Sequence, residues 1–175
     1  YIEGVSVMLG ISIQPINTRQ DKRLYLKYIN KFRAGYFADA PLMSILDVNH
    51  AKEQKIVMGL ILLNNKCVGM VEATPGNIYS RKILNIATIY VDTRHRGQGI
   101  ANVVYKYFSN LQDDIDVALQ IEESNYTKNA SKFKDMGFTH YAIDDCVSSS
   151  DHRKYDEKTY VLYDKKHDDI CKELA

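Results

Sequence analysis

The stretch Ile89-Tyr90-Val91-Asp92-Thr93-Arg94-His95-Arg96-Gly97-Gln98-Gly99-Ile100-Ala101 joins an apolar run to an amphipathic one through a polar, glycine-bearing segment, and it decides the fold. Upstream, Ile83 to Val91 is apolar on both faces, the pattern of a central strand. Downstream, Ile100, Val103, Val104, Tyr107, Phe108 and Leu111 recur at helical spacing, so one helix face must be buried. A helix start leaves about four backbone N–H groups without partners, and the macrodipole adds partial positive charge there. Such an end is a ready site for a pyrophosphate. Gly97 and Gly99 let the main chain approach a ligand with no Cβ in the way, and Ala101 is the next smallest choice. Arg96 can add a charge-assisted contact.

Two rival phosphate motifs fail on these residues. A P-loop needs Lys-Ser/Thr after its last glycine, where this chain has Ile100-Ala101. A dinucleotide fingerprint wants a third glycine, where Asn102 stands, and a parallel unit rather than the hairpin expected upstream.

Working outward, Ile56 to Leu63 and Cys67 to Ala73 are apolar runs separated by Asn64-Asn65-Lys66. Asparagine tolerates positive φ, so they read as an antiparallel hairpin. Thr74-Pro75-Gly76-Asn77 should end its second strand as a turn. Nearer the N-terminus, Gly10 to Ile16 suits a short strand that stops near Pro15. Asn17 or Thr18 can cap a helix that buries Leu24, Tyr25, Tyr28, Ile29 and Phe32. A second helix is expected over about Pro41 to His50, with Pro41 in its first turn. Toward the C-terminus, Ile115 to Ile121 reads as a buried strand and Asn125 to Met136 as a helix ended by Gly137. Phe138 to Ile143 and Thr159 to Tyr163 read as closing strands around a polar loop from Cys146 to Lys158. The order is β-α-α-β-β-β-α-β-α-β-β, mixing antiparallel and parallel pairing.

A length of 175 residues fits one domain, and 45% hydrophobic with 26% charged residues is the balance of a folded soluble protein. No apolar run approaches the roughly 20 residues a membrane span needs. Val5 to Ile13 is shorter than that and lacks a basic lead-in, so neither a signal peptide nor a membrane partner is expected. Net charge is +1 with the signs interspersed, so nucleic acid is not an expected partner. Cys67, Cys146 and Cys171 form neither a metal-ligand spacing nor a disulfide framework, which points to a cytoplasmic protein. The sequence leaves the oligomeric state open, a homodimer included.

Val91 to Ala101 resembles the acyl-CoA motif of the GNAT family of N-acetyltransferases, whose signature Gln/Arg-x-x-Gly-x-Gly/Ala is met by Arg96 to Ala101. That family's second motif, an Asn after the next strand and then a helix with Ala, an aromatic and a terminal Gly-Phe, is matched by Asn125, Ala130, Phe133 and Gly137-Phe138. Asn125 stands one residue farther from the glycine than usual. The resemblance spans about Gly10 to Tyr163. It implies an α/β (α+β) fold, with a mixed, mostly antiparallel sheet flanked by helices and a splayed parallel pair at strands four and five. A single N-acetyltransferase domain would cover 1–175, with its core at about 10–164. Acetyl-CoA would be the co-substrate, with no metal, and its pantetheine arm would lie between those two strands. Ile89, Tyr90 and Val91 would flank the arm, the Val91 N–H polarising the thioester carbonyl. Arg96, Gly97, Gln98, Gly99, Ile100 and Ala101 would hold the pyrophosphate, and Asn125 and Phe133 would complete the cofactor site. The acceptor would be a primary amine on a small molecule, protein or peptide, attacking directly in a ternary complex.

A lysine-like amine has a pKa of about 10.4, so its proton must be removed before attack. Many members of that family use a glutamate on the fourth strand, and the matching position here is Asn85, which accepts no proton. Glu72 is the first substitute and Glu122 or Glu123 the second. The family's usual acid is a tyrosine four residues ahead of the Gly-Phe pair, and Phe133 stands in its place. Tyr126, Ser131 or water are the replacements. His95 and His140 read as solvent-facing, and Asp144-Asp145 with Glu122-Glu123 could give the acceptor pocket an acidic lip. The substitutions at Asn85 and Phe133 motivate an alternative, a CoA-binding sensor or regulatory module without turnover.

Overall fold

The computed structural model describes residues 10–36, 41–78, 81–111, 115–136, 138–144 and 159–164. Its elements are β1 (Ile11–Pro15), α1 (Arg19–Tyr36), α2 (Ile45–Glu53), β2 (Val57–Leu63), β3 (Lys66–Ile78), β4 (Arg81–Val91), α3 (Ile100–Ser109), β5 (Asp116–Glu122), α4 (Glu123–Asp135), β6 (Phe138–Asp144) and β7 (Thr159–Asp164). This is the order read from the sequence, with a short 3-10 turn at Thr93–His95 ahead of α3. The strands form one sheet in the order β1-β2-β3-β4-β5-β7-β6. β4 and β5 run parallel and the other neighbours antiparallel, so the sheet is mixed and mostly antiparallel, as expected. The chain divides into two compact units, Tyr1–Pro75 with Ile86–Tyr107, and Gly76–Asn85 with Phe108–Ala175.

In the first unit, β1 pairs β2 from Ile11↔Leu63 to Pro15↔Gly59. The β2–β3 hairpin turns on Asn64 (φ 49°) and Asn65 (φ 65°), both in the left-handed region that asparagine tolerates. Ile61 pairs Gly69 while Leu62 pairs Cys67, so Val68 is an extra residue in β3, a β-bulge. α1 and α2 cover one face of this sheet. Tyr25, Tyr28 and Ile29 of α1 and Val48 and Ala51 of α2 pack with Met58, Leu60 and Met70.

α1 is started by Thr18. Its Oγ1 accepts from the Asp21 N–H at 3.1 Å, and Asp21 Oδ2 accepts from the Thr18 N–H at 2.8 Å, a reciprocal capping box. The Asn17 N–H and Gln14 Nε2 also donate to the Asp21 carboxylate. Those donors, the Thr18 N–H above all, lower the Asp21 pKa below the usual carboxylate value. A folded-state value that is depressed stabilises the fold above the unfolded value and loses that contribution as pH falls through the folded one. Replacing Thr18 with alanine removes one side of the box. Thr18→Ala is expected to cost about 1 kcal/mol at neutral pH, read by denaturant unfolding.

Three boundaries differ from the sequence reading. α2 begins at Ile45 rather than near Pro41, because Ser44 and Asp47 form a second capping box. α4 begins at Glu123, two residues earlier than expected, directly after β5. β3 does not turn at Thr74-Pro75-Gly76-Asn77 but continues to Ile78. The pairing with β2 ends at Val57↔Ala73, so β2 offers no partner to Pro75 and its missing N–H costs no bond on that side.

In the second unit, Val117, Ala118, Leu119 and Ile121 of β5 are all buried, consecutive residues included, as a strand covered on both faces requires. β7 lies between β5 and β6, from Ala118↔Tyr163 to Glu122↔Thr159 on one side and from Phe138↔Asp164 to Asp144↔Thr159 on the other. Phe138 is buried after α4. Gly137, Cys146, Cys171 and the loop between β6 and β7 lie outside the described residues. No described helix is long and apolar enough to cross a membrane.

Candidate active site

The loop after β4 is pinned to β3 at its first residue. The Asp92 N–H donates to the carbonyl of the bulged Val68 at 2.8 Å. Asp92 is only 7% exposed, and its Oδ1 accepts from the backbone N–H and the Nε of Arg94, at 3.2 and 3.3 Å. The Lys31 Nζ of α1 lies 4.0 Å from Oδ2. Arg94, through its side chain first and its N–H second, holds this carboxyl below the usual carboxylate range. The aspartate caps the 3-10 turn, and the His95 N–H closes that turn on the Asp92 carbonyl at 2.8 Å.

Gly97 and Gly99 both have φ of 77°, where a side chain is strained. A Cβ built on either would meet nothing within 4 Å, so both face open space. The Val103 N–H bonds the Gly99 carbonyl at 3.2 Å, which makes Gly99 the cap of α3. The amides of Ile100, Ala101 and Asn102 therefore sit in the first turn, ahead of any intrahelical acceptor. Ile100 is 3% exposed and buries its side chain with Val104 and Phe108 on the inner face of α3. A buried anchor thus fixes a helix end whose preceding residues, Gly97 to Gly99, are exposed. The arrangement could hold a diphosphate: donors at a fixed position, partial positive charge and, among the described residues, no atom within 4 Å of a Cβ at Gly97 or Gly99.

Arg96 braces the same loop. Its Nε donates to the Val91 carbonyl at 2.9 Å, and its guanidinium lies 5.4 Å from the centre of the Tyr90 ring. A phosphate contact would have to use the remaining N–H groups of this fork. Tyr90 in turn sits 5.9 Å from Tyr28, whose hydroxyl donates to the Cys67 carbonyl at 3.0 Å. Ile89, Tyr90 and Val91 are half-buried at the strand end.

Glu72 lies mid-strand, since β3 runs six residues past it to Ile78. Sequence reading placed it at a strand end. It is partly buried opposite Met58, and its Oε2 accepts from the Tyr25 hydroxyl at 2.5 Å. Tyr25 is fully buried. Burial, and then the adjacent carboxylate, push this phenol far above its ordinary range, so it remains a donor.

Glu72 and the whole Ile89-to-Ala101 segment belong to the first unit. In the second, Phe133 is half-buried on α4. Glu122 ends β5, and Glu123, Asn125 and Tyr126 fall in the first turn of α4; their side chains lie outside the described residues. The same holds for His140 and Asp144 on β6, while Asp145 lies beyond it. Among the described residues, no group of three or more His, Cys, Asp or Glu could hold a metal ion. Sequence reading missed Tyr25 as a partner of Glu72 and the Val68 bulge as the anchor of Asp92. Tyr25 was legible only as a core position, because its hydroxyl partner stands 47 residues away.

The profile of the Acetyltransferase (GNAT) family matches residues 22–111, just over half of the chain. A search of curated proteins finds no match. Solved structures of the same fold include an acetyltransferase from Thermus thermophilus, with TM-score 0.60 and 19% identity, covering 88% of this chain and 96% of that one. Naa50 of Arabidopsis thaliana, solved with the bisubstrate analogue CoA-Ac-MVNAL, gives 0.54 and 16% over 89% and 98%. A mutant of the spermidine N-acetyltransferase SpeG of Vibrio cholerae gives 0.60 and 14% over 88% and 92%.

Proposed function

Because the chain belongs to the acetyltransferase (GNAT) family, we propose that it transfers an acetyl group from acetyl-CoA to a primary amine. The observation that carries this reading is the exposed start of α3, with Gly97 and Gly99 held at positive φ and facing open space. Acetyl-CoA supplies an activated thioester. The chain's part is to hold the diphosphate on the Gly97-to-Ala101 amides and to polarise the thioester carbonyl with the Val91 N–H. Ile89 and Tyr90 flank the donor's pantetheine arm. Glu72 takes the acceptor's proton, with Glu122 or Glu123 the second choice. Naa50 was solved with a peptide-bearing analogue and SpeG is a spermidine acetyltransferase, so peptides and polyamines head the acceptors to try. The interspersed charge and the cysteine pattern support a cytoplasmic enzyme.

Release of free thiol from acetyl-CoA, measured against polyamines, peptides, aminoglycosides and simple amines, tests this reading. Silence across the panel despite tight acetyl-CoA binding by calorimetry would favour the second reading, a CoA-binding module without turnover. Asn85 and Phe133 motivate that reading, since neither side chain moves a proton. No binding at all would defeat both.

Phe133 supplies a further test. If the missing acid limits the rate, Phe133→Tyr raises turnover roughly tenfold or more. An unchanged rate would show that thiolate departure is not the slow step.

A further inference from the structure

Glu72 is unusual among the residues around it. Its neighbours on the covered face of the sheet, Met58 and Met70, are 6% and 0% exposed. A carboxylate at such a position loses hydration and is costly unless something compensates. A buried tyrosine hydroxyl does not need a carboxylate as partner. Tyr28, three residues along the same helix, satisfies its own hydroxyl with the Cys67 backbone carbonyl. Tyr25 instead reaches across to Glu72, with its ring locked in the core formed by α1, α2, β2 and β3.

We infer that Tyr25 is a positioning residue for acetyl transfer, holding Glu72 by its Oε2 so that the carboxylate meets the acceptor amine in one orientation. This rests on the acetyl-transfer reading above. The ammonium form of the acceptor gives one proton to Glu72, and the freed lone pair attacks the thioester carbonyl. The N–C bond forms, the C–S bond breaks, and the thiolate leaves with its electron pair. The nitrogen's next proton passes through solvent to the thiolate, and Glu72 returns its own proton to water. Tyr25 moves no proton. Its ring is fixed in the core, and its O–H holds one carboxylate oxygen in place.

A double-mutant cycle on kcat/KM separates this role from a purely structural one. It should be measured with whichever panel amine gives the fastest thiol release, beside calorimetric acetyl-CoA binding. Glu72→Gln is expected to lose at least about 100-fold in kcat/KM. Tyr25→Phe should lose roughly tenfold in kcat/KM when Glu72 is present and almost nothing on top of Glu72→Gln, because the tyrosine acts only through the carboxylate. Both variants should bind acetyl-CoA like the parent. A Tyr25→Phe enzyme of normal rate, or one that loses the same factor in the Glu72→Gln background, overturns the pair's role, as does a Glu72→Gln enzyme of normal rate. Failure of the parent itself to bind acetyl-CoA overturns the acetyl-transfer reading, and the pair's role with it.

Discussion

Gly99→Glu is expected to lower acetyl-CoA affinity by at least about 100-fold, or ~2.7 kcal/mol, while the protein still folds. Two separate effects meet at this position. With φ at 77°, any side chain is strained, at a cost of about 1–3 kcal/mol. Yet a Cβ there touches nothing within 4 Å, so the fold itself has no clash to relieve. The added carboxylate projects into the space before the first-turn amides of α3, where it repels a diphosphate and competes for the same donors. Gly99→Ala carries the strain without the charge, so it should lose much less affinity than the glutamate. Calorimetry gives both affinities, and circular dichroism confirms the fold. Binding by Gly99→Glu close to that of the parent would mean that the loop does not hold the donor.

Gly69→Ala is the second large effect, and it acts on stability. A Cβ at Gly69 would lie 2.1 Å from the Tyr90 carbonyl oxygen and 3.2 Å from the Val91 Cα. These are main-chain atoms, so no rotamer change relieves the overlap and the two strands must separate locally. Overpacking of this kind costs about 1–3 kcal/mol, sometimes more. In a chain of this size that lowers Tm by roughly 2–12 °C. The displacement falls at the end of β4, so acetyl-CoA binding should weaken in the protein that remains folded. A Tm within about 2 °C of the parent would show that the strands adjust more easily than their geometry implies.

The elements legible in the sequence are those whose cause is local. Asn64-Asn65 fixes its own turn, the Ile100-to-Leu111 spacing fixes its own buried face, and Gly97 and Gly99 announce a backbone that only glycine adopts freely. Other features depend on partners far along the chain. Thr74-Pro75-Gly76-Asn77 has every mark of a turn, yet it remains strand because β2 stops short of it. Pro41 reads as a first-turn residue until Ser44 and Asp47 claim the helix start. In the candidate site, the glycine loop was visible because its chemistry belongs to consecutive residues. The bond between Tyr25 and Glu72 was not, because helix periodicity shows only that the tyrosine ring is buried, and says nothing of what its oxygen meets.

Past Ala73, β3 runs on without β2 beside it among the described residues. Pro75, Gly76 and Asn77 are exposed there. Bare strand margins are where separate molecules zip together into aggregates, and a residue that cannot donate interrupts the zipper. Proline has no N–H, so Pro75 gives a foreign strand no donor at this rung.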